Sequence, residues 1–240
     1  MFFATLVAVE LSDVLGAAWL DYWRKRAAAP LLLHTSYGSI EEMPVDYFFR
    51  NADASPPLEQ YALRLCAGRV LDVGAGVGGH ALFLQEQGVS VTTLEVSPTG
   101  VDIQRARGVR CAVHADYRHY RENGYDTVLL LMNGIGVVGS LMGLRDFFQQ
   151  ARHWLVPSGQ LLFDSSDIAY LYEDTARPTD AYYGEVRYQY EYQRHLGAWF
   201  PWLYVDENTL QQIAREVGWQ TQVIFQDNQD QYLVRATLSG

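Results

Sequence analysis

Lysine is nearly missing from this 240-residue chain: Lys25 is the only one. A Schiff-base lysine and the phosphate-gripping lysine of a P-loop therefore have no candidate, because Lys25 lies in neither context. Positive charge is scarce as a whole. Against 28 Asp and Glu stand 18 Lys and Arg, giving a formal net charge of −10 and a pI near 5.0. A dedicated nucleic-acid binder needs a basic face for phosphates, so nucleic acid is not an expected partner. The one basic run, Arg24-Lys25-Arg26, suits the C-terminal end of a helix. Cysteine is limited to Cys66 and Cys111, far apart and without metal-ligand spacing. Two reduced thiols in a cytoplasmic protein fit that pattern better than a disulfide framework. The six histidines show no ligand spacing either, and no metal is expected. No segment is long and uncharged enough to span a bilayer, so no membrane association is expected. Repeats and low-complexity stretches are missing too.

Apolar residues make up 49% of the chain, as in a globular protein with one sizeable α/β core. The first residues, Met1 to Trp19, are apolar, but Glu10 and Asp13 interrupt them and no basic start precedes them. Leu11, Val14, Leu15, Ala18, Trp19 and Tyr22 trace one helical face, which predicts an amphipathic helix. Pro56-Pro57 closes the N-terminal section, and Leu58 to Cys66 reads as a helix.

The most informative stretch is Val70-Leu71-Asp72-Val73-Gly74-Ala75-Gly76-Val77-Gly78-Gly79. It reads as a buried strand, Arg69 to Val73, that turns on glycines into a helix ending near Gly88. Glycines let a ligand approach the backbone, and the free N–H groups of the helix start face it. A nucleotide-like cofactor at the carboxyl end of a parallel strand follows. Gly74, Gly76 and Gly79 satisfy G-x-G-x-x-G, which also fits a dinucleotide enzyme. Asp72 points elsewhere: a carboxylate there repels a pyrophosphate and suits a ligand carrying positive charge.

Strands and helices alternate from Arg69 onward, with strands expected at Ser90 to Leu94, Val109 to Val113, Asp126 to Met132 and Gln160 to Phe163. A helix is expected over Leu144 to Leu155, and another over Thr209 to Val217. Gln220 to Phe225 and Gln231 to Leu238 then form an antiparallel hairpin across Asp227-Asn228-Gln229-Asp230. With Asp-x-Gly-x-Gly-x-Gly at its first strand, the chain resembles the class I S-adenosylmethionine-dependent methyltransferases over roughly residues 69–240. The resemblance implies a Rossmann-like three-layer α/β sandwich. Its sheet would be mostly parallel and seven-stranded, with an antiparallel C-terminal strand. To this the sequence adds an N-terminal helical lid and an aromatic β-hairpin insertion. The whole is expected to be one domain, 1–240. It divides into an N-terminal helical and lid region (1–66), a cofactor-binding core (67–168), an acceptor-side insertion (180–206) and a C-terminal helix and hairpin (207–240).

The resemblance also distributes roles. S-adenosyl-L-methionine is the implied cofactor, held by Asp72, Gly74, Ala75, Gly76 and Gly78. Glu95 with Val96 follows the second strand, where a carboxylate accepts ribose hydroxyls; that role alone would serve NAD equally well. Asp116 follows the third strand, where the family places an acceptor for the adenine amino group, and Tyr117 can stack or wall the core. Met132 and Asn133 follow the fourth, where the methionine part meets the acceptor. No universal base is required, because methyl transfer from a sulfonium depends on alignment and exclusion of water. Asn133, Asp164 and Asp167 are the candidates for orienting an acceptor or holding a divalent metal, with helix capping as their plainer role.

In the insertion, Val186, Tyr188, Tyr190 and Tyr192 alternate with Arg187, Gln189, Glu191 and Gln193, which reads as a half-buried strand. His195-Leu196-Gly197 resembles a turn, and Trp199 to Val205 its return. Together with the Tyr37–Arg50 region this hairpin is expected to form the pocket for a small-molecule acceptor. Tyr37, Arg50, Tyr183, Tyr190 and His195 are its candidate residues. Tyrosine stripes also serve ordinary packing and homodimer contacts. Two other functions stay open at this point: an NAD(P)-dependent oxidoreductase, and a methyltransferase-like module that binds without catalysis.

Overall fold

The computed structural model describes residues 13–26, 29–38, 40–51, 54–174, 176–228 and 230–239. Helix α1 (Val14–Trp23) comes first, capped by Asp13, whose side chain accepts the Gly16 N–H at 2.9 Å. Of the predicted apolar face, Leu11 lies outside the described residues; Val14, Ala18 and Trp19 carry the buried part. Strands β1 (Leu31–Thr35) and β2 (Glu41–Met43), a 3-10 turn at Val45–Phe49 and helix α2 (Pro57–Leu65) follow. The alternating section comprises β3 (Arg69–Val73), α3 (Gly79–Glu86), β4 (Ser90–Glu95), α4 (Pro98–Arg107), β5 (Ala112–His114), β6 (Tyr125–Leu130), α5 (Leu141–Trp154) and β7 (Leu155–Ser166). The chain continues through β8 (Glu185–Tyr192), β9 (His195–Leu196), β10 (Phe200–Leu203), α6 (Glu207–Glu216), β11 (Trp219–Gln226) and β12 (Gln231–Leu238).

Seven strands form the main sheet in the order β5-β4-β3-β6-β7-β12-β11. β3 to β7 run parallel, and β12 is antiparallel to both of its neighbours. Consecutive apolar residues along these strands feed opposite faces. Val70, Leu129 and Leu162 pack with Leu58, Ala62, Ala81 and Leu84 of α2 and α3. Leu71, Val128 and Leu161 pack with Phe147, Phe148 and Trp154 of α5 and with Leu210 and Ile213 of α6. Two helical layers around one sheet are thus written into the strands.

The N-terminal region is not purely helical, which corrects one expectation. β1 and β2 join a second, antiparallel sheet of order β10-β8-β1-β2, with β9 added to β8. Leu31, Leu33 and Thr35 of β1 are buried, and Leu33 registers with Tyr190. A five-residue strand whose partner lies over 150 residues away leaves little local signal. The alternating tyrosines do form β8, and Phe200 to Leu203 pair with it. The turn, however, falls at Gln193-Arg194, both with positive φ (49° and 65°), so that His195 and Leu196 are already in β9. α5 also starts earlier than expected, because the Ser140 hydroxyl caps it by accepting the Gly143 N–H.

Phe148 sits where α5, the sheet and β11 meet. Its ring contacts Phe147, Phe163 and Trp219, and its carbonyl accepts the Trp219 indole N–H at 3.1 Å. Phe148→Ala is expected to lower folding stability by about 3–5 kcal/mol in urea denaturation, from lost burial plus the remaining cavity.

Candidate active site

The turn after β3 is fixed by backbone. Gly74 and Ala75 both donate their N–H to the Leu94 carbonyl of β4, at 2.9 and 3.1 Å. Gly78 then caps α3 with φ of 82°. A Cβ on Gly78 would lie 2.8 Å from Val109 Cγ2, so conformation and space both require glycine there. The first-turn N–H groups of α3 consequently open toward a cleft at the carboxyl ends of the strands. Asp72, Gly74, Ala75 and Gly76 line it on one side and Met132, Gly134 and Trp202 on the other. Trp202 reaches this position over Gly136, where any Cβ would overlap the indole. Tyr47, Phe48 and Arg50 cover it.

Three carboxylates are buried at these strand ends, and they differ in their partners. Glu95, 6% exposed, accepts the Gly76 N–H with Oε2 and the Ser97 N–H with Oε1, each at 2.8 Å. Burial still outweighs these bonds and pushes its pKa up to about 7. Asp164, fully buried, accepts the Asn133 and Gly134 N–H groups, each at 2.9 Å, and the Gln231 amide at 2.8 Å. It thereby holds Met132 and Asn133 in left-handed conformations, with φ of 69° and 54°. Burial lifts its pKa to about 6. Asp72, 2% exposed, has no partner at Oδ2, and burial lifts its pKa to about 6 as well. An unsatisfied buried acceptor beside a glycine turn fits a ligand that brings its own donors and positive charge.

A charged cluster next to Asp72 joins the expected Arg50 to two residues that sequence reading overlooked, Glu59 and His80. Glu59 of α2, 3% exposed, binds the Arg50 guanidinium with Oε1 and His80 Nε2 with Oε2, the latter at 2.8 Å. Burial opposes charge on His80, but the hydrogen bond to Glu59 and the nearby Asp72 prevail and raise its pKa. Arg50 also lies 3.6 Å from the centroid of Tyr47 and donates to the Tyr47 carbonyl at 3.0 Å. The available signal was His80 itself, a histidine in the first turn of the helix that follows the glycines.

Other expected residues are not among those lining this cleft. Asp116 caps a short turn by accepting the Arg118 N–H and pairs with the Arg118 side chain, which lowers its pKa. Tyr117 packs edge-on against Phe147 and Trp154 of the core. Val96 is 63% exposed, and its carbonyl contacts His114. Asn133 accepts from the Ser166 hydroxyl at 2.8 Å. Tyr37 bonds to Tyr188, and burial pushes its pKa up to about 12. Tyr190 stacks on Phe200. Asp167 accepts from the Tyr183 hydroxyl at 2.6 Å, and both line a separate polar depression. His195 is exposed, with Nδ1 near the Gln193 carbonyl. Among the described residues, no group of three or more His, Cys, Asp or Glu is placed to hold a metal. No described helix is long and apolar enough to cross a membrane.

A doubly wound sheet with a reversed β12 and a glycine turn beside an unpaired carboxylate defines a Rossmann-like methyltransferase fold. Comparison with known proteins agrees. Residues 44–222 match the family model described as a methyltransferase domain. A S-adenosylmethionine-dependent methyltransferase from Bacteroides fragilis, crystallised with S-adenosyl-L-homocysteine, is 35% identical over 98% of both chains, with a TM-score of 0.89. The CcbJ methyltransferase of Streptomyces caelestis shares the fold at 18% identity and a TM-score of 0.62, over 81% of this chain and 95% of its own. The glycopeptide N-methyltransferase MtfA, complexed with S-adenosyl-L-methionine, does so at 16% identity and a TM-score of 0.56, over 79% and 88%. No curated protein sequence matches significantly. The chain belongs to the class I S-adenosylmethionine-dependent methyltransferases. S-adenosylmethionine is its cofactor, and the nicotinamide alternative falls.

The raised carboxylates make stability depend on pH with a defined sign. The folded pKa of Asp72, about 6, exceeds the ordinary 3.8, so the folded chain binds that proton more tightly. Its contribution is complete below about pH 4 and is lost as pH rises through about 6. Urea denaturation of the ligand-free protein should therefore show Asp72→Asn equal to wild type near pH 4 and more stable at pH 7, by up to about 3 kcal/mol. Parallel pH profiles for the two proteins would contradict this origin.

Proposed function

We propose that Asp72, Gly74, Ala75, Gly76 and Gly78 hold the cofactor against the glycine turn, and that a small-molecule acceptor docks from the side of the second sheet. The observation that carries this reading is the buried, unpartnered Asp72 carboxylate in the cleft. When bound, S-adenosylmethionine supplies a methyl carbon on a sulfonium, open to direct displacement. Asp72 would take the cationic end of its methionine part. Arg50, oriented by Glu59, offers a guanidinium to a carboxylate in the same cleft. Glu95 keeps a second lone pair on each oxygen for ribose hydroxyls, with Val96 and Asp116 on the adenine side.

Asp164 is a positioning group in this scheme. Its oxygens are spent on the loop carrying Met132 and Asn133, which supports alignment over general-base work. The cleft, about 110 Å³, is smaller than the roughly 300 Å³ at which small-molecule sites begin. Binding therefore shifts part of its cover, and the Tyr47–Arg50 segment acts as the lid. Trp202 and the hydroxyl chain Tyr37–Tyr188–Tyr204, with spacings of 3.0 and 2.9 Å, form the acceptor side. The two unpaired cysteines suit the cytoplasm.

Calorimetry with S-adenosylhomocysteine and, separately, NADH tests the cofactor assignment. Saturable binding of the first only is expected, at least tenfold weaker for Asp72→Asn and for Arg50→Ala. Binding unaffected by either substitution would remove these residues from the site. Incubation with S-adenosylmethionine and a panel of amines, phenols, carboxylates and thiols, read by a 14-dalton mass gain, identifies the acceptor class. Substituting Tyr37 by Ala should then raise KM for that acceptor without weakening cofactor binding.

A further inference from the structure

We propose that the indole N–H of Trp19, on α1, is a hydrogen-bond donor to the cofactor, supplied from outside the strand-and-helix core. The inference rests on the cofactor site described under Proposed function. Among the described residues, three buried side-chain polar atoms have no hydrogen-bond partner: Trp19 Nε1, Asp72 Oδ2 and Arg235 Nε. Arg235 belongs to β12, but the other two border the glycine turn. Trp19 is 2% exposed. Its Cζ2 and Cη2 lie 3.8 Å from the place a Cβ on Gly76 would take, and Cζ3 lies 3.0 Å from the same point on Gly100. Its ring meets Phe48 edge-on, with centroids 5.3 Å apart. Gly76 and Phe48 both line the cleft, so the indole is wedged between the turn and its cover. The Cζ2–Cη2 edge of the ring is the part nearest Gly76.

The chemistry is specific. An indole nitrogen only donates, and a donor closed off from water and left unpaired is destabilising. Asp72 presents the opposite deficit, a buried acceptor, at the same turn. A ligand that carries both kinds of group satisfies the two at once. Trp19 would take an oxygen acceptor, and S-adenosylmethionine offers two: its ribose hydroxyls and its carboxylate. α1 is anchored to do this, because Asp13 at its cap accepts from the Ser97 hydroxyl at 2.7 Å and so ties the helix to the end of β4.

Trp19→Phe keeps an aromatic ring and removes the N–H. Calorimetry should show S-adenosylhomocysteine binding about tenfold weaker, while the melting temperature of the ligand-free protein holds or rises. Unchanged affinity would overturn the proposal, and so would a loss of affinity that tracks a fall in melting temperature, which assigns Trp19 to packing. A second measurement uses the wild-type chain labelled with 15N-tryptophan, with Trp19 identified by the signal missing from the variant. Its indole resonance should shift on saturation with S-adenosylhomocysteine; a stationary resonance overturns the proposal. Adenosine and homocysteine, titrated separately, report whether the acceptor belongs to the ribose or to the carboxylate end. Failure of the wild type to bind S-adenosylhomocysteine at all would instead remove the cofactor site on which the inference stands.

Discussion

A carboxylate withdrawn from water is costly unless hydrogen bonds or positive charge replace its hydration, and this molecule places three of them at the carboxyl ends of its parallel strands. Glu95 and Asp164 are compensated from within, each by backbone N–H groups of the loop that it organises. The first thereby ties the glycine turn to the start of α4, and the second bends the chain after β6 around the floor of the cleft. Asp72 lacks such a partner at Oδ2. The two satisfied carboxylates shape the strand ends, and the third keeps an unmet hydrogen-bonding capacity in the cleft.

Charge around Asp72 is arranged in alternation. His80 and Arg50 flank Glu59, and His80 also faces Asp72. This spreads two buried negative groups over two positive ones. The arrangement draws on α2, the first turn of α3 and the segment before α2, so binding at the glycine turn is mechanically joined to the cover. Methyl transfer from a sulfonium disperses charge as it proceeds, so strong anionic contact to the sulfur would favour the ground state. Catalysis of that kind depends on alignment more than on a charged group beside the sulfur.

That wall depends on contacts distant in sequence. β8 runs between β1, near the N-terminus, and β10. β10 then lays Trp202 across Gly136 in the turn that follows β6. The second sheet therefore spans both halves of the chain and closes over the first. The hydroxyl chain from Tyr37 through Tyr188 to Tyr204 exists only because β1 and β10 flank β8.

By itself the sequence determined the central sheet and the glycine turn at the end of its first parallel strand. The continuous apolar strands, the glycines after Asp72 and the polar break before β12 act locally, through backbone conformation and alternating burial, and so remain visible one segment at a time. Tertiary structure decided what the polar residues do. Asp164 and Glu95 read alike in the sequence as strand-end acids, yet both are occupied by backbone, while Asp72 is left open. His80, Glu59 and Trp19 carried no motif, because their significance lies in partners, or in a missing partner, brought together from separate elements. The N-terminal strands were likewise hidden: five residues suffice for a strand only when another strand, far along the chain, supplies its hydrogen bonds.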